Sequence, residues 1–185
     1  AIEAVAEGTF ASDNNATKLI FKTGASEAAS QKMAISSVGN VTMKNTATTA
    51  TTPMVLTLQT GETDIASADI IGKIDFQAPD EAQGTDAILV AASIAAVSEG
   101  DFSSSNNATK LSFKTGASEA ASEKMTLSSA GLLTVADDIM IKDGGTIGVA
   151  SVNDSITIAS TGIVTFKDDI KIKDGGTIGS ATIPS

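Results

Sequence analysis

The chain has 185 residues, 42% of them hydrophobic, a formal net charge of −10, and neither cysteine nor histidine. Disulfides and thiolate metal sites are therefore excluded, as are a Ser–His–Asp or Cys–His catalytic arrangement and the commonest general base. All twelve cationic residues are Lys, so the positive footprint that duplex nucleic acid or an anionic membrane surface requires is missing.

Residues 1–45 read as the C-terminal half of a longer repeat unit. Residues 2–43 match 94–135 at a fixed offset of 92, with 29 of 42 positions identical. The stretch NNATKLxFKTGASEAAS occurs in both copies, and self-similarity of this kind is settled before any fold assignment. Ile2 corresponds to Ile94, so the expectation is that the chain begins inside a unit. Residues 46–53 form a Thr-rich linker, in which the Thr run disfavours helix and Pro53 holds Thr52 extended.

Residues 54–136 read as a complete β module, because apolar residues alternate with polar ones. MVLTLQT places Met54, Leu56 and Leu58 on one face of a predicted strand. IIGKIDFQ places Ile70, Gly72, Ile74 and Phe76 opposite Ile71, Lys73 and Asp75. APDEAQGTD is a turn cluster. DAILVAASIAAVSEG fits either a buried helix or a strand, and period two favours the strand. ATKLSFKTG sets Leu111 and Phe113 against Lys110 and Lys114. GASEAASEK is too short for an independent helix and reads as a hairpin loop. KMTLSS pairs Met125 with Leu127.

Residues 137–185 read as short Gly-turn β repeats, shaft-like in character. MTLSSAGLLTVADDIMIKDGGTIG at 125–148 returns as ITIASTGIVTFKDDIKIKDGGTIG at 156–179, and a shorter copy lies at 33–45. Met125, Leu127, Leu133 and Val135 become Ile156, Ile158, Val164 and Phe166, all apolar. Met140 becomes Lys171, so that position faces water. Ile139 and Ile141 become Ile170 and Ile172, and both pairs are expected on small strands with one apolar face. Gly131, Gly144, Gly145, Gly162, Gly175 and Gly176 are the expected turns, because Gly takes positive φ without cost. A ribbon apolar on one side cannot bury that side alone. Leu133, Val135, Ile139, Ile141, Val164, Phe166, Ile170 and Ile172 are therefore the expected assembly core, covered by sister chains in an intertwined homotrimer.

IGKIDFQAPDEAQGTDAILVAASIAAVSEG, NNATKLSFKTGASEAASEKMTLSSAGLLTV and DDIMIKDGGTIG together resemble the repeated modules of marine bacteriophage tail fibres and related virion fibre proteins. The resemblance covers residues 53–179, with 2–43 as a partial unit. It implies an all-β, elongated, repeat-containing homotrimer acting as a structural shaft in host attachment. It also implies other virion tail proteins as partners, a location on the virion and assembly in the host cytoplasm. The alternative is a receptor- or glycan-binding adhesin module, with a host surface glycan as partner. The absence of Trp and Tyr, the usual sugar-stacking platforms, favours shaft over tip.

No enzyme activity, cofactor, nucleic-acid partner or membrane insertion is expected. Asp137, Asp138, Asp168 and Asp169 are candidate ligands for a hard cation or a glycosidase pair. Adjacent strand residues point to opposite faces, however, and Lys142, Lys167 and Lys173 lie near. The reading is a solvated edge, with no metal. The sequons at Asn15, Asn40, Asn107 and Asn153 are polar turn chemistry.

Overall fold

A computed structural model describes residues 1–49, 51–79, 88–168 and 170. Every regular element among them is a β-strand, and the strands form three antiparallel sheets. The chain divides into two compact units, Ala1–Gln59 and Thr60–Ser185.

In the first unit, β1 (Ile2–Ala6), β2 (Thr17–Thr23), β3 (Ser30–Ile35) and β4 (Val41–Met43) form a meander in sequence order. In the second, β5 (Ile70–Gln77), β6 (Val90–Ser98), β7 (Thr109–Thr115), β8 (Ser122–Leu127) and β9 (Leu133–Val135) form a five-stranded meander. The same unit holds a three-stranded sheet of β10 (Gly145–Val149), β11 (Val152–Ile158) and β12 (Val164–Phe166). DAILVAASIAAVSEG thus supplies a strand, and GASEAASEK is mostly the loop from β7 into β8. The turn cluster APDEAQGTD falls largely outside the described residues.

The repeated text is repeated structure at the level of strand register. β2, β3 and β4 have the bounds of β7, β8 and β9 shifted by 92. Met33 faces Met43 and Ile35 faces Val41, as Met125 faces Val135 and Leu127 faces Leu133. At the offset of 31, Ile156 faces Phe166 and Ile158 faces Val164. Each hairpin turns through a glycine of positive φ: Gly39 (83°), Gly131 (81°) and Gly162 (81°). Each of these N–H groups donates back three residues, to Ser36 O (2.9 Å), Ser128 O (3.0 Å) and Ala159 O (2.9 Å). No atom would meet a Cβ at any of the three, so backbone conformation selects glycine there.

Three sequence expectations are corrected. MVLTLQT is not a strand: residues 52–62 lack ladder structure, and Met54, Val55, Leu56 and Leu58 are exposed. DDIMIK is not a strand either, so Ile139 and Ile141 lie on irregular chain. Alternation states which way side chains point, but a strand also needs a ladder of backbone partners, and among the described residues neither segment has one; Thr60 N–H bonds singly to Ile71 O at 3.1 Å. Gly145 belongs to its turn, but not because of its φ. Gly144 carries the positive φ of that turn (71°), while Gly145 closes it, donating to Lys142 O at 2.7 Å, and begins β10. Gly145 is buried, and a Cβ there would strike Ile141 Cγ2 and approach Lys142 O to 2.8 Å. Lack of space, not φ, selects glycine at this position.

Candidate functional site

The alternation of each strand sorts its side chains onto two faces. In the five-stranded sheet, Gly72, Ile74 and Phe76 lie opposite Ala96, Ile94 and Ala92. Ile94 and Ala96 in turn lie opposite Phe113 and Leu111, which face Met125 and Leu127, and these face Val135 and Leu133. The result is one continuous apolar face. It is open: Ile74, Phe76, Ile94, Leu111, Leu127 and Leu133 retain between 38% and 55% of their accessible surface.

The same face recurs in the other sheets. In the first unit it comprises Ile2, Ala4, Leu19, Phe21, Met33, Ile35, Val41 and Met43. In the three-stranded sheet it comprises Ile147, Ile156, Ile158, Val164 and Phe166. Ile147, Val164 and Phe166 keep 42–50% exposure. Ile141 reaches over Gly145, at the end of β10 where that face lacks a side chain.

The eight residues expected as assembly core divide accordingly. Leu133, Val135, Val164 and Phe166 stand on the apolar faces. Ile139 (70% exposed) and Ile170 (54% exposed) are on irregular chain. Ile141 is half-buried, and Ile172 lies outside the described residues, as do Gly175 and Gly176. Met140 is 97% exposed.

The opposite, polar faces hold most of the buried residues. Ser112 has no exposed surface, Ala95 has 2% and Ser93 has 6%, with Ile20 (4%) and Ala34 (8%) in the first unit. These are mostly small side chains on inner strands, where longer neighbours cover them. Ser112 Oγ donates to Glu123 Oε2 at 2.8 Å, and Lys110 Nζ donates to the same carboxylate at 3.0 Å. The methylenes of such a pair shield what lies beneath while the charges stay in water. The Ser112 hydroxyl, with Lys110 beside it, holds the Glu123 carboxyl below its ordinary range.

A second polar device ties the hairpin turns at Gly39 and Gly131 to the residues that follow β1 and β6. Glu7 accepts from the Ser37 hydroxyl and from the Ser37 N–H at 3.2 Å. Its counterpart Glu99 accepts from the Ser129 N–H at 2.9 Å. The Ser37 hydroxyl lowers the Glu7 pKa, and the Ser129 hydroxyl lowers that of Glu99. Retention of Glu7/Glu99 and Ser37/Ser129 at the offset of 92 was the sequence signal for this clamp. Sequence reasoning passed over it because all four look like ordinary surface residues.

Among the described residues, the acidic candidates Asp137, Asp138 and Asp168 form no cluster that could hold a metal ion. The Asp138 N–H donates to Asp137 Oδ1 at 3.1 Å, and Asp169 lies outside the described residues. Lys167 pairs instead with Asp154 at 2.7 Å, and that bond lowers the Asp154 pKa. Among the described residues, no group of three or more His, Cys, Asp or Glu could hold a metal ion, and no helix is long and apolar enough to cross a membrane. The shallow depressions lie on the polar faces, one lined by Glu7, Lys18, Gln31 and Thr42 and another by Ser98, Glu99 and Lys110.

No protein-family model, curated protein or solved structure matches this chain.

Proposed function

We propose that this chain is a structural segment of a phage tail fibre or similar virion appendage. Three copies wind about a common axis, and each shelters the apolar sheet faces of the others. The segment spaces a distal receptor-binding part from the particle, and its assembly is its function.

The open apolar faces support this reading. Isolated exposed apolar residues are ordinary on any protein. A contiguous face rimmed by polar residues marks an interaction surface, and here such a face recurs in every sheet. Apolar surface of this kind gains about 25 cal/mol per Å² on burial. Identical faces on identical chains are most simply covered by closed symmetry. A slender three-chain axis suits side chains of Ile, Leu, Val and Met with few aromatics.

Size-exclusion chromatography with light scattering tests the proposal. The expected particle has three times the chain mass of 18.5 kDa. A stable monomer that binds no apolar dye refutes it.

A further inference from the structure

We infer that the Asp143–Gly144 peptide bond is a self-modification site: the backbone there isomerises to isoaspartate once it is freed, and the pairing of β10 with β11 holds that reaction off. Among the described residues, Asp143 is the only Asp followed by glycine, and no Asn is followed by one. Asp143 and Gly144 are both exposed. A Cβ on Gly144 would meet nothing within 4 Å, so no side chain crowds the nitrogen that must react.

The reaction needs no co-reactant but water. The Gly144 nitrogen attacks Asp143 Cγ and gives up its proton, and a carboxyl oxygen leaves as water, closing a succinimide ring. Water then returns to either ring carbonyl. Addition at Cγ restores aspartate. Addition at the Asp143 backbone carbonyl leaves the chain running through the side chain, with an extra methylene in the backbone. A water is lost and a water regained, and nothing is oxidised or reduced.

Two backbone bonds oppose ring closure. Gly144 N–H donates to Ile158 O at 3.1 Å, and Gly145 N–H closes the turn on Lys142 O at 2.7 Å. The first occupies the attacking nitrogen. The second closes a four-residue turn with positive φ at Gly144 (71°) and not at Asp143. That is a type II turn, which carries the Gly144 nitrogen away from the Asp143 side-chain arm. Ring closure brings nitrogen and arm into one plane, so the turn has to open first. β10 lies at the edge of its sheet, and its register to β11 shifts between Ile147 and Val149. Opening at this hairpin is therefore local and needs no unfolding of the five-stranded meander. The product does not close again. Gly145 is buried with no room even for a Cβ beside Ile141, and a lengthened backbone displaces it from that seat.

The test uses the full chain carrying Asp174→Glu, which removes the second Asp–Gly pair of the sequence, beside the free octapeptide IKDGGTIG. Both are warmed at mildly acidic pH. Isoaspartate at position 143 is quantified by chromatography of the proteolytic peptide that contains it, against synthetic standards, and by enzymatic methylation of isoaspartate. The octapeptide should convert, and the folded chain should convert at least about tenfold more slowly, because its backbone bonds must open first. A Cβ at Gly148 would strike Val152 O across the hairpin. Gly148→Ala leaves the Asp–Gly pair untouched and should speed conversion by about threefold or more. A urea series below the unfolding transition should give the same acceleration without that substitution. Asp143→Glu should abolish the product. Converted chains should lose amide-exchange protection from Gly144 to Ile147 and keep it in β5–β9. The inference is overturned if octapeptide and folded chain react at one rate, or if neither Gly148→Ala nor urea speeds conversion. It is overturned too if converted chains keep their protection at β10. None of these outcomes depends on the chain being part of a virion.

Discussion

Leu111 stands on the central strand of the five-stranded sheet, in the middle of its apolar face, with 42% of its surface exposed. Replacing it with Lys separates a covered face from a wet one. In an isolated chain, the lysine stem lies along the sheet and its ammonium reaches water, so the meander still forms. In an assembly, the ammonium is trapped between chains. Six large side chains of this face are each about half exposed, so covering them withdraws the equivalent of about three whole side chains. At ~1.5–3 kcal/mol apiece this contributes about 4–8 kcal/mol per chain. An unpaired buried ammonium costs about 3–5 kcal/mol per chain, most of that gain. Summed over three chains the loss is about 9–15 kcal/mol, or roughly seven to eleven orders of magnitude in the association constant. Sedimentation equilibrium over a dilution series should find wild-type trimer and Leu111→Lys monomer, with matching far-UV circular dichroism. A Leu111→Lys protein that assembles with an unchanged dissociation midpoint refutes the reasoning.

Met140→Lys should leave assembly and melting temperature unchanged, since Met140 is 97% exposed and the other copy carries Lys171; the same sedimentation experiment checks it. Gly131→Ala should cost about 1–2 kcal/mol, because φ is 81° and a Cβ is penalised there whatever the space around it; urea unfolding reads this directly. Gly145→Ala should destabilise for a different reason, collision with Ile141, so adding Ile141→Ala should recover part of the loss in a double-mutant cycle. The Glu7 and Glu99 carboxyls have folded pKa values below the ordinary 4.5. Their contribution is therefore complete above about pH 4.5 and is withdrawn as pH falls through the lowered folded values. The pair Glu7→Gln and Glu99→Gln should flatten the fall in melting temperature across that acid window and leave the slope above pH 6 unchanged.

Strand positions were legible where alternation coincided with a neighbouring strand. Leu111, Phe113, Met125 and Leu127 show this, and their common face could be read directly. Met54, Leu56 and Leu58 alternate just as well but have no ladder beside them, because period two encodes side-chain direction and carries no information about pairing. GGTIG concealed β10, since glycine chosen for lack of space looks the same in sequence as glycine chosen for φ. Burial was the least legible property. Ser112 lies between Lys110 and Lys114 on the polar side of β7, yet it is fully covered, with the Glu123 carboxylate bonded both to its hydroxyl and to Lys110. The Glu99–Ser129 clamp spans 30 residues and has no local signature; only comparison of the two copies could single it out.

The shared register of the two meanders bears on how genes for such molecules change size. NNATKL occurs 92 residues apart at the entrance to β2 and to β7, whose ladders to the following strand run in step. A join made at that hexapeptide, from the first copy into the second, connects β1 to the last part of the second meander in frame. The product loses 92 residues, yet every hairpin downstream keeps its partner. The reciprocal product gains a whole meander. Removing or adding 92 residues at this point therefore leaves the register of β2–β3 and β7–β8 type ladders unchanged.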